Sequence, residues 1–433
     1  MSQRPVTAVI VGAGHRSMCY ASYAKARPDA FQIVGVADPL EYRRKQVAAE
    51  YNLPPDRLFK TADDLARAGK IADAVINGTM DHHHVSTSLP LLEAGYDILL
   101  EKPFATSEEE MWALARAARR LGRKVMVCHV LRYAPFYAAI KAKVLAGEIG
   151  ELMNIQTTEH VSYHHMATGF VRGKWNRRDR CHSTMLMAKC CHDLDLIAWM
   201  MSGTPVKAVA SFGGRMFFRP EKAPKGAGTR CLVDCPIEST CEYSARKMYI
   251  DHPVRWGAYV WAELEHLGET TLEQKIESLK GANPHGRCVW KCDNDVVDHQ
   301  SVLVEFDTGC VAAHNMVGGV ARPSRSIHLL GTRGEIQGVL EDSRFVIRHA
   351  DPRPNRETSE QVVDLNIGGD MTGAFGGHGG GDERLVADFV HFVRGQPRSI
   401  SCTSLDDSIQ GHLIGFLADK SREQGRVIAA PRL

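Results

Sequence analysis

The chain lacks a long apolar run. No stretch reaches the ~18 uninterrupted apolar residues that a membrane-spanning helix needs, so a helical membrane protein and a membrane partner are not expected. It also lacks a charge imbalance. Lys+Arg number 53 against 51 Asp+Glu, for a formal net charge of +2 with the signs interspersed. No basic face for nucleic acid is therefore expected. Low-complexity tracts and internal repeats are missing too, and 44% apolar with 24% charged residues is the composition of a globular protein. The opening "MSQRPVTAVIVGAG" has no long apolar run after its charge and enters what reads as a core strand. That argues against a signal peptide and for the cytoplasm.

Cysteine, by contrast, is abundant for a cytoplasmic chain: 12 residues, of which Cys231, Cys235, Cys241, Cys288 and Cys292 lie close together in sequence. Reduced thiols, a metal site or small-hydrophobe packing are expected before disulfides in that compartment.

A length of 433 residues exceeds one ordinary core, and two domains are expected. Short β-rich runs at 6–14, 31–38, 72–79, 96–102 and 124–129 alternate with amphipathic helical stretches such as 40–52 and 107–122. Near-continuous apolar strands alternating with helices predict a doubly wound parallel sheet over residues 1–130. Longer alternating strands follow at 152–161, 206–218, 301–317 and 324–340, with turn residues at "DTG" (307–309) and "TRG" (332–334). They predict a second α/β domain over 131–433: an open, mainly antiparallel sheet with helices on one face, closing with helices at 382–395 and 406–425. A cysteine-containing insertion is expected at about 220–295.

"GAGHRS" (12–17) follows the first strand and opens a helix. In that context Gly12 permits a tight turn, and Gly14 lets the backbone approach a pyrophosphate at the helix N-terminus. Ser17 replaces the third glycine of the usual pattern and is small enough for close helix–strand packing. Asp38 ends the second strand, where a carboxylate would accept from ribose hydroxyls and repel a 2′-phosphate. NAD is expected as cofactor; Arg43 and Arg44 leave NADP open. Asp38 as a helix N-cap is compatible with that role.

"LLEKPFA" (99–105) with "GTMDHHH" (78–84) upstream resembles the Gfo/Idh/MocA family, named for glucose–fructose oxidoreductase, inositol dehydrogenase and rhizopine catabolism. "RYAPFY" (132–137), "GEIGEL" (147–152), "FVRGKW" (170–175) and "GTRGEI" (331–336) fit as well, so the match runs along nearly the whole chain. The resemblance implies a Rossmann domain followed by an α/β domain whose open sheet builds homodimers or homotetramers. It implies hydride transfer between a nicotinamide and a carbon of a sugar, glycoside or cyclitol. His15, Arg16, Thr79, His84, Glu101 and Lys102 join the expected cofactor contacts. Lys102 and His192 are carried over as the lysine on the reacting hydroxyl and the acid–base histidine.

The chemistry agrees with that assignment. Hydride leaves a carbinol only if the hydroxyl proton leaves too, so a base within reach is needed. An imidazole suits that task, and an ammonium stabilises the developing alkoxide. One departure stands out. The family commonly has an aspartate four residues before the histidine, and here that residue is Ala188, followed by Lys189. Lys189 is a candidate for gripping substrate or tuning His192, or a structural partner of an acid. Two rival functions share these residues: an NAD-retaining glycosidase working by transient oxidation and elimination, and a non-catalytic sugar or dinucleotide sensor.

Other candidates are weaker. Tyr163, His164, His165, Arg172 and Trp175 are expected as the wall of a sugar pocket, or as plain surface. His378, amid the glycines of 376–381, is expected to reach the substrate or to sit in a flexible connector. Cys231, Cys235, Cys241 and Cys292 are the metal candidates, against structural thiols; their spacing is not the C-x2-C of common zinc motifs. "LMAKCCHDLD" (186–195) reads as one continuous helix, in which Cys190 projects ~160° and Cys191 ~100° from His192. On that reading neither cysteine chelates an ion together with His192.

Overall fold

The computed structural model describes residues 4–252, 256–365 and 377–432, with nothing given for the side chains of 377–379. Strands β1 (Val6–Val11), β2 (Phe31–Ala37), β3 (Leu58–Phe59), β4 (Ala74–Asn77), β5 (Asp97–Leu100) and β6 (Val125–Val127) form a parallel sheet ordered β3-β2-β1-β4-β5-β6. β4 and β5 are buried at every position. Strands covered on both faces are largely apolar, interrupted here by Asn77 and Asp97, which is why they read as near-continuous runs.

The second sheet takes β7 (Leu152–Ser162), β8 (Val206–Gly214), β9 (His299–Phe306), β10 (Val311–Val320), β11 (Ser324–Gly331), β12 (Glu335–Val339), β13 (Arg344–Ala350), β14 (Thr358–Asp364) and β15 (Ile428–Ala429). Its order is β14-β13-β12-β11-β7-β10-β9-β8-β15, and only the β7–β10 pairing is parallel. The "DTG" and "TRG" turns join the hairpins β9–β10 and β11–β12, as their turn residues predict. β3, β13, β14 and β15 were not foreseen; their polar or very short sequences carry little apolar alternation.

The helices Cys191–Met201 and Leu405–Gln424 pack together between this sheet and the first domain. The helix Gly377–Arg394 returns to the parallel sheet. Its Leu385, Val386, Phe389 and Val390 share a core with Val6, Ile10 and Tyr20, so the first layer draws on residues well beyond 130.

Several histidines are folded in as neutral groups. Burial pushes His129, His165 and His412 well below the ordinary imidazole range and His285 and His314 down to about 4. In the unfolded chain these rings take up protons near pH ~6.5. Between that value and 4 the unfolded state therefore binds more protons, and stability falls as pH falls. The expected result is a urea midpoint that drops steeply from pH ~6.5 to ~4. A flat midpoint across that window would contradict the burial of these rings.

Candidate active site

The dinucleotide crevice begins at Gly12. Its φ is +76°, and a Cβ there would meet the Thr79 backbone nitrogen at 2.9 Å. Gly14 precedes the helix His15–Ala21 with no side-chain cap, and the nearest atom to a Cβ at Gly14 would be Arg43 Nη1 at 3.9 Å. Open space beside uncapped helix N–H groups suits a pyrophosphate. Ser17 is fully buried against Gly78, where a Cβ would come within 2.1 Å of the Ser17 hydroxyl. Asp38 is buried. Its carboxylate accepts from Ala13 N at 2.8 Å and Leu40 N at 2.9 Å, tying the glycine loop to the end of β2. These residues fit a dinucleotide.

Glu101, at the end of β5, is buried and accepts from Arg16 Nε (3.1 Å), the Tyr20 hydroxyl (2.6 Å) and Lys102 N (2.7 Å). Burial pushes its carboxyl up, but the charges of Arg16 and Lys102 and the Tyr20 bond outweigh that and hold it below the ordinary range. Arg16 also meets Asp382 at 2.5 Å, so Arg16 and Glu101 act as scaffolding beneath the crevice. His84 has the same character: Nδ1 donates to Pro103 O at 2.7 Å, and Nε2 lies 3.1 Å from Thr79 O. It braces the glutamate–lysine–proline turn against the Thr79 loop. His15 stands at the helix start with its ring 6.1 Å from Tyr259.

The approach to His192 is not a simple α-helix. Leu186–Cys190 winds as a π-helix, and the α-helix starts at Cys191, so angles reckoned on 3.6 residues per turn do not hold across Cys190. The loosened turn brings Ala188 O within 2.8 Å of Lys102 Nζ, which donates to it. The position that lacks the family's acid thus meets the lysine through its backbone. His192 is nearly buried, and its ring centroid lies 5.8 Å from that of His129 in an edge-on arrangement. One turn on, Asp195 is gripped by Arg132 through two bonds of 2.7 and 2.6 Å. This pair anchors the His192 helix to the segment following β6. Cys190 and Cys191 are buried, and the Cys190 sulfur approaches Asp193 and His314.

Lys189 is tied into a buried ionic cluster. Its Nζ lies 3.0 Å from Glu159 Oε1; Arg325 pairs with the other Glu159 oxygen and lies 3.1 Å from Asp193 Oδ1. The structure therefore gives Lys189 the part of an acid's structural partner.

The expected pocket wall divides. Burial first, then the charges of Lys189, Arg325 and Lys102, push the His165 ring well below the ordinary imidazole range, and its centroid lies 4.1 Å from that of Trp256. Trp175 donates from Nε1 to Asp81 at 3.1 Å and packs on Phe170 and Tyr259. Tyr163 and His164 turn toward the insertion, packing on Tyr243 and meeting Met248 O at 2.9 Å respectively. Arg172 is buried beneath the insertion and does not line the wall. The side chain of His378 lies outside the described residues.

The insertion supplies what the sequence reading missed. Its arm at residues 256–267 reaches the crevice mouth: Tyr259 packs on His15, and Glu265 meets Arg43 with bonds of 3.2 and 2.7 Å. Nothing in the spacing of a segment so distant in sequence from β2 announces that contact. Arg44 Nη1 is spent on the carbonyls of Asp38 and Pro39, at 2.6 and 3.0 Å. Neither arginine is free for a 2′-phosphate. Glu265→Ala is expected to release Arg43 and tighten NADPH binding about tenfold, ~1.4 kcal/mol, in a fluorescence titration. Unchanged NADPH affinity would contradict this account of Arg43.

A glycine-loop crevice with an acidic β2 terminus, facing a lysine and a histidine from two domains, defines an NAD-binding oxidoreductase. Residues 6–129 match the family described as "Oxidoreductase family, NAD-binding Rossmann fold", and residues 141–429 its "C-terminal alpha/beta domain". The chain belongs to this Gfo/Idh/MocA family. It is 25% identical to YteT of Bacillus subtilis over 395 residues, 88% of this chain and 87% of that protein. It is 27% identical to the inositol 2-dehydrogenase of Corynebacterium glutamicum (strain R) over 201 residues, 46% of this chain and 55% of that protein. Among solved structures, levoglucosan dehydrogenase in complex with NADH and levoglucosan shares the fold, with a TM-score of 0.71 at 16% identity. That match covers 99% of this chain and 100% of the other. No helix among the described residues is long and apolar enough to cross a membrane.

Proposed function

We propose that the protein transfers hydride between NAD and a ring carbon of a sugar, glycoside or cyclitol, with His192 as the proton acceptor and Lys102 as the group that stabilises the alkoxide. The observation that carries this is the Lys102 Nζ–Ala188 O contact of 2.8 Å, which sets the ammonium on the turn that leads into His192. Bound NAD supplies the hydride acceptor. His192 takes the hydroxyl proton, while Lys102 holds the oxygen on which negative charge grows. The relatives' names, inositol 2-dehydrogenase and levoglucosan dehydrogenase, support a polyol or sugar substrate.

The test is a panel of sugars, cyclitols and aryl glycosides with NAD. NADH accumulation is the expected result; aglycone release without net NADH would replace it with the NAD-retaining glycosidase. One observation favours that second reading: the arm carrying Tyr259 and Glu265 covers the crevice mouth, as suits a cofactor kept between turnovers. Exposed Phe212, Leu303, Val311 and Val317 on the outer face of β8–β10 support assembly of copies through the open sheet.

A further inference from the structure

Arg172 is the largest of the fully buried side chains, at 1% exposure, and among the described residues no carboxylate forms a salt bridge with it. Its guanidinium donates to Arg287 O (2.6 Å), Tyr243 O (2.7 Å) and the Tyr249 hydroxyl (3.2 Å), and lies 3.5 Å from Met248 Sδ and Cys231 Sγ. Every one of these partners is neutral when Cys231 is a thiol. A buried cation without an anion is costly, so the fold calls for negative charge on this spot.

The same spot holds a cavity of about 10 Å³, roughly the space of one water-sized sphere. Arg172, Cys231, Cys235, Cys241 and Cys288 line it, together with Tyr243, Trp290 and Glu238, whose carboxylate accepts from the Ser244 hydroxyl rather than from Arg172. All four cysteines are free of disulfides. Chain order hides this set. Cys231, Cys235 and Cys241 are neighbours in sequence, whereas Cys288 arrives from the far end of the insertion through the bridge between Arg230 and Arg287. Cys292, the fourth ligand suggested by spacing, does not line the cavity; its thiol donates to Cys288 O at 3.2 Å.

We infer that Cys231, Cys235, Cys241 and Cys288 form a four-thiolate site for a single soft metal ion, zinc by ligand type and cavity size. Thiolates select zinc among the common divalent ions, and a closed four-sulfur shell is the arrangement of structural zinc sites. Four thiolates around a divalent ion carry a net charge of −2, which supplies the anion that Arg172 lacks. Zinc held at ~2.3 Å by each sulfur needs sulfurs ~3.8 Å apart. No three of these sulfurs lie within 4.8 Å of one another, so the ion would draw them inward on binding. The site staples the two ends of the insertion and so steadies the arm that covers the cofactor crevice.

Metal analysis of the full-length protein, purified without chelator or added metal, tests this. About one zinc per chain is expected, lost in Cys231→Ser and Cys288→Ser and kept in Cys292→Ser. The wild-type value decides the matter even where a serine variant fails to fold. Zinc, iron and other transition metals together below about 0.2 per chain would overturn the site. Iron with acid-labile sulfide would overturn the single-ion form, as would zinc retained in a folded Cys288→Ser variant.

Discussion

Replacing His192 with asparagine is expected to lower kcat by about 10²–10⁴-fold, the usual worth of a positioned acid–base group. NADH affinity, read by fluorescence titration, is expected to change little. His192 stands on the second domain's helix, beside His129 and the Lys102-bearing turn, whereas the glycine loop belongs to the first domain. The split matters because asparagine retains a hydrogen-bonding side chain of similar reach but takes up no proton. If the loss came from collapse of the site, NADH binding and the unfolding midpoint would fall with kcat. Lys102→Met probes the other half. It removes the charge proposed to stabilise the alkoxide, and a loss of about 10²–10³ in kcat is expected, as for one oxyanion-stabilising donor. A His192→Asn enzyme with wild-type kcat would end the assignment of the base.

Arg132→Met is expected to cost about 3–5 kcal/mol of stability, because it strands a buried carboxylate. Both partners are almost inaccessible, at 3% and 1% side-chain exposure for Arg132 and Asp195. Arg132 also donates to Cys402 O and Asp407 O, at 3.3 and 3.2 Å, and so ties the C-terminal segment to the same point. Arg132→Met/Asp195→Leu is expected to recover part of the loss, since the double change leaves no unpaired buried charge. Urea unfolding of the three proteins checks both statements. Equal midpoints for wild type and Arg132→Met would show that the pair does not hold the helix in place.

The parallel sheet was legible where its strands are buried along most of their length, whereas the two-residue, half-buried β3 left no apolar run to read. Its glycine loop carried a local signature that needs no long-range contact. Of the candidate site, only local motifs were legible. Glu101, Lys102 and His192 sit in motifs, while Arg132, Asp195 and Glu265 act through partners that are distant in sequence. Lys189 shows the limit of residue type as a guide. A lysine three residues before the proposed base suggests catalysis, while the structure shows it buried and paired with Glu159. The reading of 186–195 as one regular helix failed at Cys190 because a π turn has no apolar period of its own. Arg172 was drawn to the pocket wall by its neighbours in "FVRGKW", and only the fold shows it facing the cysteines instead.

Hydride transfer between a ring carbon and NAD is the reaction proposed for Lys102 and His192. Its most direct test is the fate of deuterium placed on the ring carbons of the most active compound in the sugar panel. With the wild-type enzyme the label should appear at C4 of the nicotinamide, and His192→Asn with NAD bound should transfer it about 10²–10⁴-fold more slowly. Label that never reaches the nicotinamide, or that reaches it at the wild-type rate in His192→Asn, would contradict the account.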